Sequence, residues 1–472
     1  MICNDDRIEL LIAHLDAHRD PMSVPEAARA AAKIFLFDSL GVALSGAAIA
    51  QSAMVLNTAR AWGSGADARV WGSALTLPAP SAAMVNAFNI HNQEFDCVHE
   101  RAVVHPMAVI LATLFAVAER KSARQKNVSG VAFLAALALA VDVAATIGMC
   151  ATKPLRFFRP AMCGCLGAAA GAALLQGLNK AQMRDAFGLA YSQLAGTMQA
   201  HVEGTPTLAL QVAFAARAAV CAVDLAAAGF RGPHKILDGQ HGYFALFEPG
   251  AAPDAAFSEL GEIWQITRVS HKPFPTGRAA HGGIAGLRTL MAQHGFAAKD
   301  VESVVLTAPP LIRQLVDRPM LRDVTRDETC KMNISYARLC LPFLAAVTMR
   351  DGTVTLDAYR ADYLDSPDIF LLASVVKLVP DKNLDPNALA PQHLTVRLKD
   401  GRIFEHAMPA VFGAPEAPMS AIDQREKFDD CCRHALNPLS PAGIQTLVDA
   451  IDNIEQLHDV SSLLDLTIPQ PK

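Results

Sequence analysis

From residue 23 to about residue 230 apolar residues recur at helical spacing, and the pattern predicts one helix after another. Ser23 ahead of Pro25 signals a helix start leading into AARAAAKIFLFDSLGVALSG. Further helices are predicted over 106–120, 130–147, 166–175, 180–195 and 208–228, the last closed by Gly229, a residue suited to the left-handed turn that ends helices. Strand signals are nearly absent from this half. After a loop rich in Gly and His (229–250) the pattern changes. VESVVLTA, Val301–Ala308, reads as a strand, and residues 394–408 hold an Asp400-Gly401 turn between two alternating segments, a strong hairpin signal. Helices recur at His281–His294 and over 337–349.

At 472 residues the chain is longer than a single core usually supports, so two domains are expected. The fold class predicted is mainly α with a smaller α+β domain. Its parts are a helical domain over 1–265, an α+β domain over 266–425, and C-terminal helices over 426–472 that pack back on the first domain.

Composition raises one question that patterning leaves open. Hydrophobic residues make up 52% and charged residues 18%, so a membrane protein has to be weighed. The longest apolar run, 131–141, is closed by Asp142 and falls short of the roughly 20 residues that span a bilayer. Ala-rich helices buried on several sides, together with a large subunit interface, account better for the apolar content, and a homodimer is expected with no membrane partner. The N-terminus, MICNDDRIELLIAHLD, is acidic where a signal peptide is basic and has no apolar h-region, which points to the cytoplasm. A net charge of −5 without a basic block argues against nucleic acid. Ten scattered cysteines, with no CxxC pair, read as reduced and mostly buried thiols.

Three segments could carry chemistry. The first runs His91-Asn-Gln-Glu94-Phe-Asp96-Cys-Val-His99-Glu-Arg101-Ala-Val-Val-His105-Pro106, a dense polar stretch between apolar helices, with His105 at a helix start that favours an anion. The second, Val269-Ser-His271-Lys272-Pro-Phe-Pro-Thr-Gly277-Arg278-Ala-Ala-His281, is stiffened by two prolines and carries two fixed cations. Arg278 could fork onto a carboxylate, while Lys272 could act as a point charge or, with a lowered pKa, as an acid or base. The third, Lys153-Pro-Leu-Arg156-Phe-Phe-Arg159-Pro160, could place Arg159 against a substrate carboxylate near a helix N-terminus. No two of the His and acid residues have a standard zinc-ligand spacing, so no metal is expected. Gly164, Gly167 and Gly171 lack a GxG and a preceding strand, so they read as helix-packing positions rather than a nucleotide loop, and no cofactor is implied.

The order of these and other segments resembles the MmgE/PrpD family. KIFLFDSLGVALSG, HNQEFD followed by HP, AVDVAATIG, GCLGAAAGAALLQGL, FGLAYSQLAGTMQ, HVEGTP, AAAGFRGPHKILDGQHGYF, KPFPTGRAAH and ARLCLPFLAAVTMRDG follow one another as in that family, over residues 8 to 410. The resemblance implies a helical domain, a smaller lid-like α+β domain, an active site between them and usually a homodimer. It also implies chemistry without an iron–sulfur cluster. Its activities, 2-methylcitrate dehydratase, cis-aconitate decarboxylase and iminodisuccinate epimerase, share proton movement at a carbon flanked by carboxylates. That movement needs bases, acids and cations in one place.

By resemblance, His105, Lys272, His281 and Glu94 are the expected catalytic residues, with Arg159, Arg278 and His99 expected to hold substrate carboxylates. Three positions depart from the family's pattern: Arg159 stands in place of a histidine, Leu208 in place of a lysine and Phe343 in place of a tyrosine. The activity the resemblance implies is that of a hydro-lyase like 2-methylcitrate dehydratase, acting on a small di- or tricarboxylate. An epimerase, or a carboxylate-binding member that has lost the chemistry, is the alternative.

Overall fold

The computed structural model describes residues 6–321 and 332–468; Cys3 and Cys330, and with them part of the cysteine expectation, lie outside that range. The protein is mainly α with a smaller α+β part. Helix Arg159–Gln176 lies at the middle of the helical part, packed against Gly130–Met149, Pro106–Ser122 and Thr207–Ala227. Ala79–His91 packs on Pro106–Ser122 and Thr207–Ala227 in turn. Small residues set these close approaches: a Cβ on Gly167 would run into the Ala140 carbonyl, so the glycines of this helix serve packing. The helix starts at Arg159, seven residues earlier than the apolar pattern predicts, because Pro160 occupies its first turn, where no N–H is needed.

Gly130–Met149 is 20 residues long, so the apolar run does not stop at Asp142. It and Thr207–Ala227 are, by length and composition, long enough to cross a membrane, which corrects the expectation that the run was too short. In this fold Gly130–Met149 is packed inside the helical part. Asp142 is satisfied there by protein groups, accepting from the Gln265 amide at 2.7 Å and lying 3.2 Å from His14 Nε2.

The smaller part holds a four-stranded sheet ordered Val376–Pro380, Val301–Ala308, Gln392–Leu398, Ile403–Met408. The first pair is parallel and the other two are antiparallel. Helices His281–His294 and Leu341–Asp351 pack on each other and on the sheet. Gln392–Leu398 alternates buried with more exposed residues, the period-2 pattern of a sheet covered on one face. Its hairpin with Ile403–Met408 turns at Gly401, whose φ of +91° suits glycine.

Two features join the halves near the site. Val98–His99 pairs antiparallel with Val269–Ser270, tying the first polar segment to the second. Helix Ala421–Arg433, far along the chain, packs along Glu26–Gly46.

Candidate active site

The segment after helix Ala79–His91 is held in a conformation its residues do not favour by themselves. Asn92 caps the helix and its Nδ2 donates to the Gly46 carbonyl at 2.9 Å and to Ser52 Oγ at 2.8 Å. Glu94 then takes φ +53°, in the left-handed region that side chains other than glycine rarely occupy. A tight loop follows, closed by His99 and Val104, whose amides donate to each other's carbonyls at 2.8 and 3.3 Å. Inside it Val103 has φ +52°, an outlier for a β-branched residue. Such residues cost about 1–3 kcal/mol each and persist where surrounding contacts over-determine them. The chain re-enters a helix at Pro106, with His105 in the cap position but making no capping bond, which leaves its ring free for other partners.

These constraints gather five side chains. Lys272 Nζ donates to Glu94 Oε2 at 2.8 Å and lies 3.8 Å from Asp96 Oδ1. Asp96 Oδ2 is 2.9 Å from His91 Nδ1 and 3.4 Å from His105 Nδ1, the second contact being an ion-pair distance without hydrogen-bond alignment. The two imidazoles meet edge to face, their centroids 4.8 Å apart. Lys272 and Asp96 are fully buried and Glu94 nearly so.

The environment separates the charges. Burial opposes ionisation of Glu94, but Lys272, then His91 and His105, outweigh it and hold the carboxyl at about 2. Asp96 is likewise buried, yet the same cations keep it well below the usual carboxylate range. Burial alone would lower the pKa of His91; Asp96, by charge and hydrogen bond, together with Glu94 raises it above that of a free histidine. His105 goes the other way, lowered by burial and then by the Lys272 charge. Two neighbouring histidines with opposite shifts are the pattern expected of an acid and a base sharing one site. His91, Asp96 and His105 can also bring one ligand atom each within 4.8 Å of one another, as a metal site would. The cluster, however, is built round the Lys272 ammonium, which already sits between both carboxylates, a poor setting for a divalent cation.

A cavity of about 400 Å³ opens beside the cluster, with His91, Asn92 and Glu94 in its wall. The opposing polar group is Arg338, which sequence reasoning did not single out. It is buried, donates from Nη1 to the Asn92 carbonyl at 2.5 Å and lies over the Tyr359 ring, while its Nε has no partner among the described residues. Arg318 lies nearby in the same electrostatic field. It too is buried, bonds to His201 with Nη2 and leaves Nη1 without a partner among the described residues. Both arginines feel the charge of Glu94. Arg318 stands in no recognisable motif, whereas Arg338 lies within the ARLCLPFLAAVTMRDG segment, and the signal that could have found it is its place just before the LC-LP helix start.

Of the seven residues expected from sequence, the structure brings together Glu94, His105 and Lys272 and adds His91 and Asp96. The others are placed elsewhere, for physical reasons. Arg159, expected to hold a carboxylate, is fully buried, and its guanidinium is spent on Glu248 at 2.7 Å, Asn387 at 2.9 Å and the Lys153 carbonyl at 2.9 Å. Arg278 is likewise consumed, by Glu100 at 2.8 Å and the carbonyls of Val411 and Phe412 at 2.9 and 2.6 Å, so it braces loops rather than awaiting a substrate. His99 bonds Gln265 at 3.0 Å through Nε2 and accepts the Ala102 amide on Nδ1 at 3.2 Å. Burial first, then Arg101, pushes it to about 4, so it is a neutral strut of the 99–104 loop. His281 is buried behind Phe274, 3.2 Å from the Thr276 carbonyl, and burial, Arg278 and Lys272 drive its pKa well down. Leu208 does line the cavity, whereas Phe343 is buried in the core of the smaller part.

Lys427 supports the cluster from helix Ala421–Arg433. Its Nζ pairs with Asp38 at 2.6 Å, donates to the Phe95 carbonyl at 2.8 Å and lies 4.1 Å from the centre of the Phe95 ring. Phe95 separates Glu94 from Asp96, so Lys427 positions both carboxylates. Lys427→Met is expected to leave Asp38 buried and unpaired and to destabilise the protein by about 3 kcal/mol. Urea unfolding checks this, and an unchanged midpoint would show that Asp38 finds another partner.

Comparison with known proteins matches the chain at both ends. The model for the MmgE/PrpD N-terminal domain matches residues 12–256, and the model for the MmgE/PrpD C-terminal domain matches residues 274–453. The chain is 29% identical over 447 residues to cis-aconitate decarboxylase of Homo sapiens, covering 92% of this chain and 89% of that protein. Identity to the Mus musculus cis-aconitate decarboxylase is 28% over 450 residues, covering 92% and 88%. To the cis-aconitate decarboxylase of Aspergillus terreus it is 22% over 486 residues, covering 96% and 94%.

Proposed function

The chain belongs to the MmgE/PrpD family, and from that premise we propose that it is a cofactor-independent lyase that moves a proton at a carbon next to a carboxylate of a small di- or tricarboxylate. The observation that carries this reading is the buried Lys272–Glu94–Asp96 cluster with two oppositely shifted histidines beside the cavity. His105, kept neutral by burial and Lys272, is suited to take the proton. The charge that develops on the substrate is then met by the Lys272 ammonium, in a site where little water screens it. His91, biased toward its imidazolium by Asp96, is suited to give a proton to a departing hydroxyl.

Loss of water is the first reading. The names of the relatives favour a second, decarboxylation, in which the bond broken is to a carboxylate carbon and the same acid protonates the carbanion left behind. Both readings use one constellation, and product analysis separates them.

The test is proton exchange followed by NMR in deuterated water, with a panel of di- and tricarboxylic 2-hydroxy acids and their unsaturated products. Deuterium enters the carbon beside a carboxylate of at least one compound, or that compound turns over. If compounds bind and yet show neither exchange nor turnover, the chain is a carboxylate-binding protein and the lyase assignment fails.

A further inference from the structure

The lining of the cavity also limits the charge and shape of what it can hold. Among the described residues that line it, Arg338 is the only fixed cation and Glu94 the only carboxylate. Gln51, Thr205, Asn333 and Ser335 are polar but uncharged. The rest of the wall is largely hydrocarbon, with Ile49, Phe88, Leu208, Leu339 and Leu364 prominent.

Charge balance over the wider site gives the same limit. His91, Lys272 and Arg338 face Glu94 and Asp96, and Arg318 adds a fourth cation from behind the lining. Among the described residues, four cations against two carboxylates match two substrate charges. A third substrate carboxylate would find no further described cation to pair with, and an uncompensated ion in such a site is strongly disfavoured.

Arg338 is also prepared for a ligand. It is 3% exposed, held by the Asn92 carbonyl and the Tyr359 ring, and keeps an Nε–H with no partner among the described residues. A buried donor left unsatisfied is costly, and a bound carboxylate removes the cost. Guanidinium planarity suits that role, since a carboxylate can accept in the plane of the fork.

We propose that the substrate is a dicarboxylate bearing a hydrocarbon substituent, one carboxylate held by Arg338 and the substituent laid against Phe88 and Leu208. This rests on the lyase reading above and narrows its substrate. Arg338 replaces Arg159 and Arg278 as the substrate-binding arginine, because those two are already saturated with protein partners.

The experiment is calorimetric titration of the full chain with three unreactive probes: succinate, 2-butylsuccinate and tricarballylate. The butyl compound binds about 10²-fold tighter than succinate, from burial of its four-carbon chain, and tricarballylate binds more weakly than either. Arg338→Gln weakens all dicarboxylate binding about tenfold or more, and Arg338→Lys recovers part of it. Leu208→Lys, which leaves Arg338 in place and so reads the wall independently, reverses the preference in favour of tricarballylate. Tricarballylate binding at least as tightly as 2-butylsuccinate to the unaltered chain would overturn the substrate proposal alone, with the exchange test of the lyase reading still standing. Failure of all three probes to bind would overturn both.

Discussion

Lys272→Met is expected to abolish turnover and to destabilise the protein by about 3–5 kcal/mol, the largest combined effect of any single change in this site. The reason lies in what the substitution leaves behind. Lys272 Nζ is 2.8 Å from Glu94 and 3.8 Å from Asp96, and no other fixed cation among the described residues contacts that pair. Methionine fills a similar volume, so little cavity is created. What remains is two buried carboxylates: Glu94 has lost the largest of the charges that hold its pKa low, and Asp96, held low first by His91 and His105, has lost a further one. One of them would then take up a proton near neutral pH. The double variant Lys272→Met/Glu94→Gln removes one of the stranded charges and should recover part of the lost stability while staying inactive. Urea unfolding and initial rates on the substrate found by the exchange test measure the two effects separately. A single variant as stable as the parent, or one retaining more than about a tenth of the activity, would mean that Lys272 is neither the counter-charge nor the stabiliser of the transition state.

How much of this was legible in the sequence depends on whether a feature is local. The long helices were, because their apolar stripes repeat over several turns, and so was the Asp400-Gly401 hairpin, whose turn chemistry is contained in two residues. The parallel strand Val376–Pro380 was not read. It is short, ends in proline and is mostly exposed, so neither alternation nor hydrophobicity marks it. The polar segment 91–105 announced itself by density of charge, but which of its residues would converge did not follow from spacing. His91 belongs to the helix end, Glu94 turns through a left-handed conformation, and Asp96 points back between two histidines.

Arginines were the least legible of all. Arg159, Arg278 and Arg338 look alike in one dimension. They are told apart by whether Glu248, Glu100 or an open cavity happens to meet the guanidinium, and those partners lie 89, 178 and, for the Asn92 carbonyl that holds Arg338, 246 residues away. The family resemblance singled out the Lys272 and His105 segments, which the structure brings together. It could not report that a C-terminal lysine, Lys427, holds the peptide between Glu94 and Asp96.

His105→Asn is expected to lower kcat by a factor of about 10² to 10⁴, the usual contribution of a positioned acid or base, and to change the pH profile in a way that identifies its role. In the unaltered enzyme the base must be neutral and the acid protonated. Burial and Lys272 lower the pKa of His105, so activity is lost on the acid side, as pH falls below the ordinary histidine value of about 6.5. His91 is displaced upward, burial being outweighed by Asp96 and Glu94, so activity is lost on the alkaline side, as pH rises above that value. The profile of kcat/KM is therefore a bell whose two limbs lie on either side of a free histidine, wider than two unperturbed imidazoles would give. Removing His105 should erase the acid limb and leave the alkaline one; His91→Asn should do the reverse. Because both rings contact Asp96 and each other, the limbs belong to the pair as a whole, and each single variant is also expected to move the limb that remains. Loss of His105 takes a competing proton site from Asp96, which strengthens the hold of that carboxylate on His91 and carries the alkaline limb further up. A profile that keeps its acid limb after His105→Asn would transfer the base role to another group. Glu94, held at about 2, is too weak a base to supply that limb near neutrality.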